Sequence, residues 1–384
     1  MIRRSPVALL SLSLALLFVA SPALAGPPPF TTTELIAGNL APAANGLALR
    51  NAVLAAGPNT LIKLEPGLYD LAGQQIVLPN LVNIEGSGRD ITRIFSDLTF
   101  SPSPSVIEVP AGVNAEIREL TVQASSGISA TAITVRSDDL LLFEVNLEVK
   151  TERNATGVRI IGASPRLDEV FSRTLAAGGD GIGFRVENGA GAVFTSCLVF
   201  GSNVERTFTG IFVEESSPVI EGTILFSLFN RSNTGILVTG ANSQATIRNT
   251  RAIIQGNESV GLDLQRESNS RVKESSFFVR SNDFAAGVFL REATAKITET
   301  TFDVAELFFP HLSVFGARLQ GASSLDSNQS NYESTVFAVS NVGSGQARFG
   351  ASQLIGNASP ALPGPLVCAQ SYNGAYAAIN NFCN

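Results

Sequence analysis

The residues in this chain that are equipped for chemistry recur at one spacing. Arg159 and Arg185 stand 26 residues apart, and Glu187 and Glu214 stand 27 apart. Two guanidiniums stacked side by side repel each other. Together they make an anion site of the kind that takes a sugar carboxylate or a sulfate. Phe212 adds a ring on which a sugar could stack. Asp180 and Glu205 lie just before Gly183 and Gly210, the glycines of adjacent coils. A pair of carboxylates so placed is the beginning of a Ca2+ site, which takes six to eight oxygens. Arg206 and Arg231 are candidates for the base of a lyase. Each assignment has a plainer alternative: solvated turn charges, and rings that are covered by loops or merely exposed. The single histidine, His311, lies in Phe308-Phe309-Pro310-His311-Leu312 and reads as structural. One imidazole excludes multi-histidine metal centres and two-histidine mechanisms.

Composition narrows the choice further. The chain is 45% hydrophobic and 15% charged, with a net charge of −7 over 384 residues. It can bury a large core, and it has no basic surplus with which to neutralise nucleic acid. Three cysteines exclude a disulfide-dense scaffold and a four-thiolate zinc site.

Residues 1–25 read as a secretory signal peptide. Arg3 and Arg4 precede an apolar run from Val7 to Val19, and Ala23-Leu24-Ala25 ends in a small-x-small cleavage pattern. The apolar run is shorter than a membrane span requires. Residues 26–45, with Pro27-Pro28-Pro29, read as a linker. Export permits disulfides, so Cys368 and Cys383 are expected to pair and close the tail at 368–384. Cys197 is left over and is expected to be a buried small hydrophobe. The expected product is a secreted or periplasmic monomer with no membrane span after cleavage.

Residues 46–367 carry a repeat. A glycine followed by apolar, variable and apolar residues recurs at Gly157, Gly183, Gly210, Gly235, Gly261 and Gly287, at intervals of 25 to 27. A second register runs through Ile117, Leu142, Leu167, Phe194, Ile220, Ile247, Val272 and Ile297 at the same period. Apolar and polar residues alternate within each copy, which is strand periodicity, and Gly, Ser, Asn and Thr fill the intervals. The period is too short for a propeller blade and no copy holds a helix. The pattern predicts an all-β, right-handed parallel β-helix of about ten coils between Val106 and Leu354, a solenoid whose equivalent residues stack. Three residues past each anchor, Leu120, Val145, Val170 and Cys197 give way to Thr223, Thr250, Ser275 and Thr300, hydroxyls that could bond along the stack. Gly46–Ala56 has helix composition and is expected to cap the open first coil, stopped by Gly57 and Pro58.

Two segments point to a family. Leu61-Ile62-Lys63-Leu64-Glu65-Pro66-Gly67-Leu68-Tyr69-Asp70-Leu71 and Val82-Asn83-Ile84-Glu85-Gly86-Ser87-Gly88-Arg89-Asp90-Ile91-Thr92-Arg93-Ile94 resemble the first coils of pectate-lyase-like β-helix proteins. The resemblance extends from Gly46 to about Leu354. It implies the fold, and a polysaccharide partner engaged by lyase or hydrolase chemistry. The motifs that would assign such chemistry are missing. Gly179-Asp180-Gly181-Ile182 echoes only part of the polygalacturonase pattern, and the Asp-His pair and Arg-x-Pro-x-x-Arg run of pectate lyases are absent. Two functions remain open: an exported polysaccharide-engaging protein, as a divergent lyase or hydrolase, and a non-catalytic adhesin-like surface scaffold.

Overall fold

The structure, a computed structural model, describes residues 30–99, 105–202, 206–306, 313–359 and 366–373. Each repeat folds into one turn of a solenoid. In one representative turn Arg166–Asp168 lies in a first sheet, Phe171–Ala176 in a second and Gly181–Glu187 in a third. Equivalent residues of the next turn pair in parallel, Leu167 with Phe194, Ser172 with Val199 and Phe184 with Ile211. The fold is a right-handed parallel β-helix of about twelve turns. The turns beyond the expected ten lie before Val106, where Thr60–Leu64 and Val82–Glu85 already stack. Irregular loops there hide the period.

The glycine register has a steric cause. A Cβ on Gly183, Gly210, Gly235, Gly261 or Gly287 would lie 2.5–2.6 Å from the carbonyl oxygen of the stacked glycine one turn on. The bend between the first two sheets has another device. Glu119, Glu144, Glu169, Ser196, Asn249, Glu274 and Glu299 all hold φ between 47° and 54°. Each sits two residues past an apolar anchor, so a left-handed residue turns the chain at the same corner of every coil.

The anchors fill a continuous core, in which Phe277, Phe302 and Tyr332 stack with ring centroids 5.0 and 5.1 Å apart. The hydroxyl column is buried, but its hydroxyls do not bond to one another. Thr250, Ser275 and Thr300 donate to carbonyls two residues back, at 3.0, 2.8 and 2.9 Å. They tie coils together as acceptors, as where the Thr250 N–H donates to Ser275 Oγ at 3.2 Å. Cys197 is buried and free, and burial pushes its thiol up to about 12. It is a packing residue.

The cap differs from expectation in two ways. The helix runs Pro42–Ala55, earlier than Gly46, because proline suits a first turn. Within 26–45, Thr32–Ile36 forms a strand paired with Thr60–Leu64. Asn45 and Gly46, buried on the helix, are the contact point. The Asn45 amide donates to the carbonyls of Gly38, Leu40 and Leu68 at 2.9, 3.1 and 3.0 Å. A Cβ on Gly46 would lie 1.8 Å from the Asp70 carbonyl oxygen. Gly46→Ala is therefore expected to lever the cap away, lowering stability by about 2–3 kcal/mol in a denaturant titration, the range of overpacked cores. The signal peptide, Glu205, His311 and Cys383 lie outside the described residues.

Candidate functional site

On the outer face of the third sheet, side chains two and four residues past each glycine form two columns. The first reads Arg159, Arg185, Phe212, Leu237, Asp263, Phe289 and Arg318, and the second runs from Glu187 through Glu214, Thr239, Gln265 and Arg291 to Gln320. The strands hold these side chains rigidly outward because their alternate residues are locked in the core.

Five of the residues singled out in the sequence meet here. Arg159 Nε donates to Glu187 Oε1 at 2.8 Å, and Arg185 Nε donates to Glu187 Oε2 at 2.6 Å. Arg185 also approaches Glu214 at 3.7 Å and lies over the Phe212 ring at 5.0 Å. The arginine pair thus has its anion already: the Glu187 carboxylate sits between the two guanidiniums, its side chain 4% exposed. The Phe212 ring is covered by Arg185 rather than open to a sugar. Asp180 is exposed in the turn before Gly181 and joins none of these contacts. Among the described residues no group of three His, Cys, Asp or Glu side chains is arranged to hold a metal ion.

A second cluster lies farther along the rod. Asp263 is buried on this outer face between Leu237 and Phe289. It accepts from the Arg291 guanidinium and, at 2.8 Å, from Gln265 Nε2. Burial nonetheless holds its carboxyl above the ordinary 3.8, against the pull of Arg291 and Gln265. Two turns on from Asp263, Arg318 rests over Phe315, Phe284 and Phe289 at 4.8, 5.3 and 5.4 Å. Phe289 and Phe315 are buried against Phe284 and Phe337 in a small apolar cluster outside the core. Arg318 is half-buried, and its Nε has no hydrogen-bond partner among the described residues. Burial lowers its affinity for its proton. Ring faces attract a guanidinium, but they do not satisfy its donors.

Sequence reasoning passed over Asp263, Arg291 and Arg318. The signal that finds the first two is an opposite-charge pair 28 residues apart. Arg159–Glu187 and Asp263–Arg291 share that diagonal, from the first column of one turn to the second column of the next. At the edge of the face, Glu214, Glu215, Glu267, Glu292 and Arg266 line an acidic depression of about 280 Å³.

The mannuronan C-5 epimerase AlgE6 A-module of Azotobacter vinelandii matches with a TM-score of 0.52, covering 86% of this chain and 95% of its own, at 14% identity. The chain shares the parallel β-helix fold of that module. DFA-IIIase from Arthrobacter chlorophenolicus A6 matches at TM-score 0.47 and 12% identity, over 89% of this chain and 93% of its own. Pectate lyase Pel9A matches at 0.44 and 13%, over 89% and 79%. At these identities the likeness is one of fold. No protein-family model matches, and no curated protein matches in sequence. The face that carries both clusters is one of the three long sheets of the parallel β-helix.

The raised Asp263 carboxyl has a consequence for stability. A carboxyl whose folded pKa exceeds its unfolded value stabilises the fold when protonated. That contribution is complete below 3.8 and is lost as pH rises through the folded value. Asp263→Asn is therefore expected to have a melting temperature, relative to the wild type, that is higher at neutral pH than below 3.8, as thermal melts across that range would show.

Proposed function

We propose that this chain is exported and engages an acidic polysaccharide along the outer face of the third sheet. Arg318 carries the reading: a half-buried guanidinium with three ring contacts and no anion among the described residues. Burying an unpaired charge is costly, so the position is built for a charge the chain does not supply. A carboxylate or sulfate of a glycan supplies it, with Phe289 and Phe315 as an apolar floor. The epimerase's name, which refers to mannuronan, is in keeping with such a partner. Export rests on residues 1–25, and the final compartment is the periplasm, the cell surface or the medium. A Cys368–Cys383 disulfide would close the tail there; Cys368 is buried in the strand Leu366–Ala369.

Affinity electrophoresis tests the reading. Gels containing alginate or polygalacturonate, with and without Ca2+, are expected to retard the protein, and added salt to relieve the retardation. A neutral glucan is expected to have no effect. Equal retardation by both glycan classes, or by neither, overturns the proposal.

One observation favours turnover as well as binding. Asp263 keeps its proton to higher pH than an ordinary carboxyl, as a general acid must, and shares a column with Arg318. Product formation that disappears in Asp263→Asn would make the chain a lyase or hydrolase. Binding without turnover would leave a non-catalytic scaffold.

A further inference from the structure

The second sheet carries an outward column that neither the core nor the polysaccharide reading uses. Its register runs Glu148, Arg173, Phe200, Phe226, Ile253, Phe278 and Asp303. Beside it Leu198 and Ile224 are 39% and 44% exposed. Four successive coils thus present an apolar stripe about 20 Å long at the strand spacing of a sheet. Phe200, Phe226, Ile253 and Phe278 are half-buried beside the exposed Leu198 and Ile224, and a stripe of Phe, Leu, Ile and Arg has the composition of a protein interface.

The rings exclude a glycan as the natural occupant. Phe200 and Phe226 stack on each other at 5.6 Å with planes 16° apart. Arg173 lies over the Phe200 ring at 6.0 Å and Arg251 over the Phe278 ring at 5.2 Å. The ring faces are occupied, so edges and aliphatic groups point outward. That surface suits another apolar surface.

Charge selects the partner and its direction. The apolar block ends in Arg173 on one side and Asp303 on the other. Two copies packed face to face with their rods antiparallel place the Arg173 of each opposite the Asp303 of the other, around a two-fold axis between Phe226 and Ile253. Parallel rods would set Arg173 against Arg173 and Asp303 against Asp303. Arg173 has no ion pair among the described residues, whereas Asp303 already accepts from Arg280 at 2.9 Å and keeps a second oxygen. We infer that the second sheet is the interface of an antiparallel homodimer. The stripe is short, so the contact belongs to the small, weak class and forms as protein concentration rises. From the sequence a monomer is expected; the stripe is assembled only by the register. The third sheet stays open in this dimer, so its polysaccharide reading stands or falls separately.

Sedimentation velocity across micromolar to millimolar protein tests the interface, with circular dichroism and melting to certify each fold. The wild type is expected to move from monomer to dimer. Phe226→Asp is expected to weaken the dimer about tenfold or more. Arg173→Asp and Asp303→Arg are each expected to weaken it, and the double variant to restore it, because only antiparallel copies bring the two together. A wild type that stays monomeric overturns the inference. So does a dimer indifferent to these substitutions, or a double variant no better than either single one. A monomer that binds acidic glycan through Arg173 and Arg251 would overturn it too, and assign the stripe to a glycan.

Discussion

Arg318→Ala is expected to weaken binding of an acidic oligosaccharide about tenfold or more, measured by calorimetric titration. A charge-assisted bond in a partly dry site is among the stronger polar contacts, and loss of about 1.4 kcal/mol is tenfold in affinity. The fold should not suffer. The substitution removes three ring contacts at 4.8–5.4 Å, but also a partly buried donor group without a partner. These effects oppose each other, so the melting temperature is expected to stay nearly unchanged. Arg318→Lys should recover part of the affinity, since an ammonium supplies charge without the planar fork. A neutral oligosaccharide should bind wild type and variants alike. Unchanged affinity for the acidic glycan in Arg318→Ala would remove the ground for placing its anion there.

Glu187→Gln is expected to do two opposite things. Stability should fall by about 2 kcal/mol, because hydrogen bonds to an ionised group are worth more than neutral ones and the partly exposed arginines discount the full cost of a broken buried pair. The amide cannot neutralise Arg159 and Arg185, which face each other across adjacent strands. The same change empties the anion position. Sulfate, nearly inert toward the wild-type melting temperature, should raise that of Glu187→Gln. A variant that loses stability without gaining this sulfate response would show that Glu187 is a packing residue and not an internal counter-ion.

How far the sequence foretold this molecule varied with the kind of force involved. The glycine and anchor registers were readable because stacking repeats the same steric demand in every coil, as at Gly183 beneath Gly210. The bend at Glu119, Glu144 and Glu169 was not, because glutamate is an unusual residue for a left-handed conformation and only the stack imposes it. Arg159, Arg185, Glu187, Glu214 and Phe212 were correctly placed on one face. Their chemistry was misjudged because columns were read vertically, whereas the salt bridges run diagonally between columns. Arg318 was on the column but unremarkable as a letter. Its importance lies in what is missing around it, and in rings contributed by two successive repeats, of which Phe284 and Phe315 stand outside its column. Asp180 shows the converse: a residue with an echo of a catalytic motif that the fold leaves in an exposed turn.

The most direct test of the central claim is a crystal structure of the protein bound to an acidic oligosaccharide, such as a uronate oligomer. The expected result is a carboxylate on the Arg318 guanidinium, with the chain running along the outer face of the third sheet past Phe289 toward Asp263. An oligosaccharide seated on the second sheet, or bound with Arg318 untouched, would contradict it.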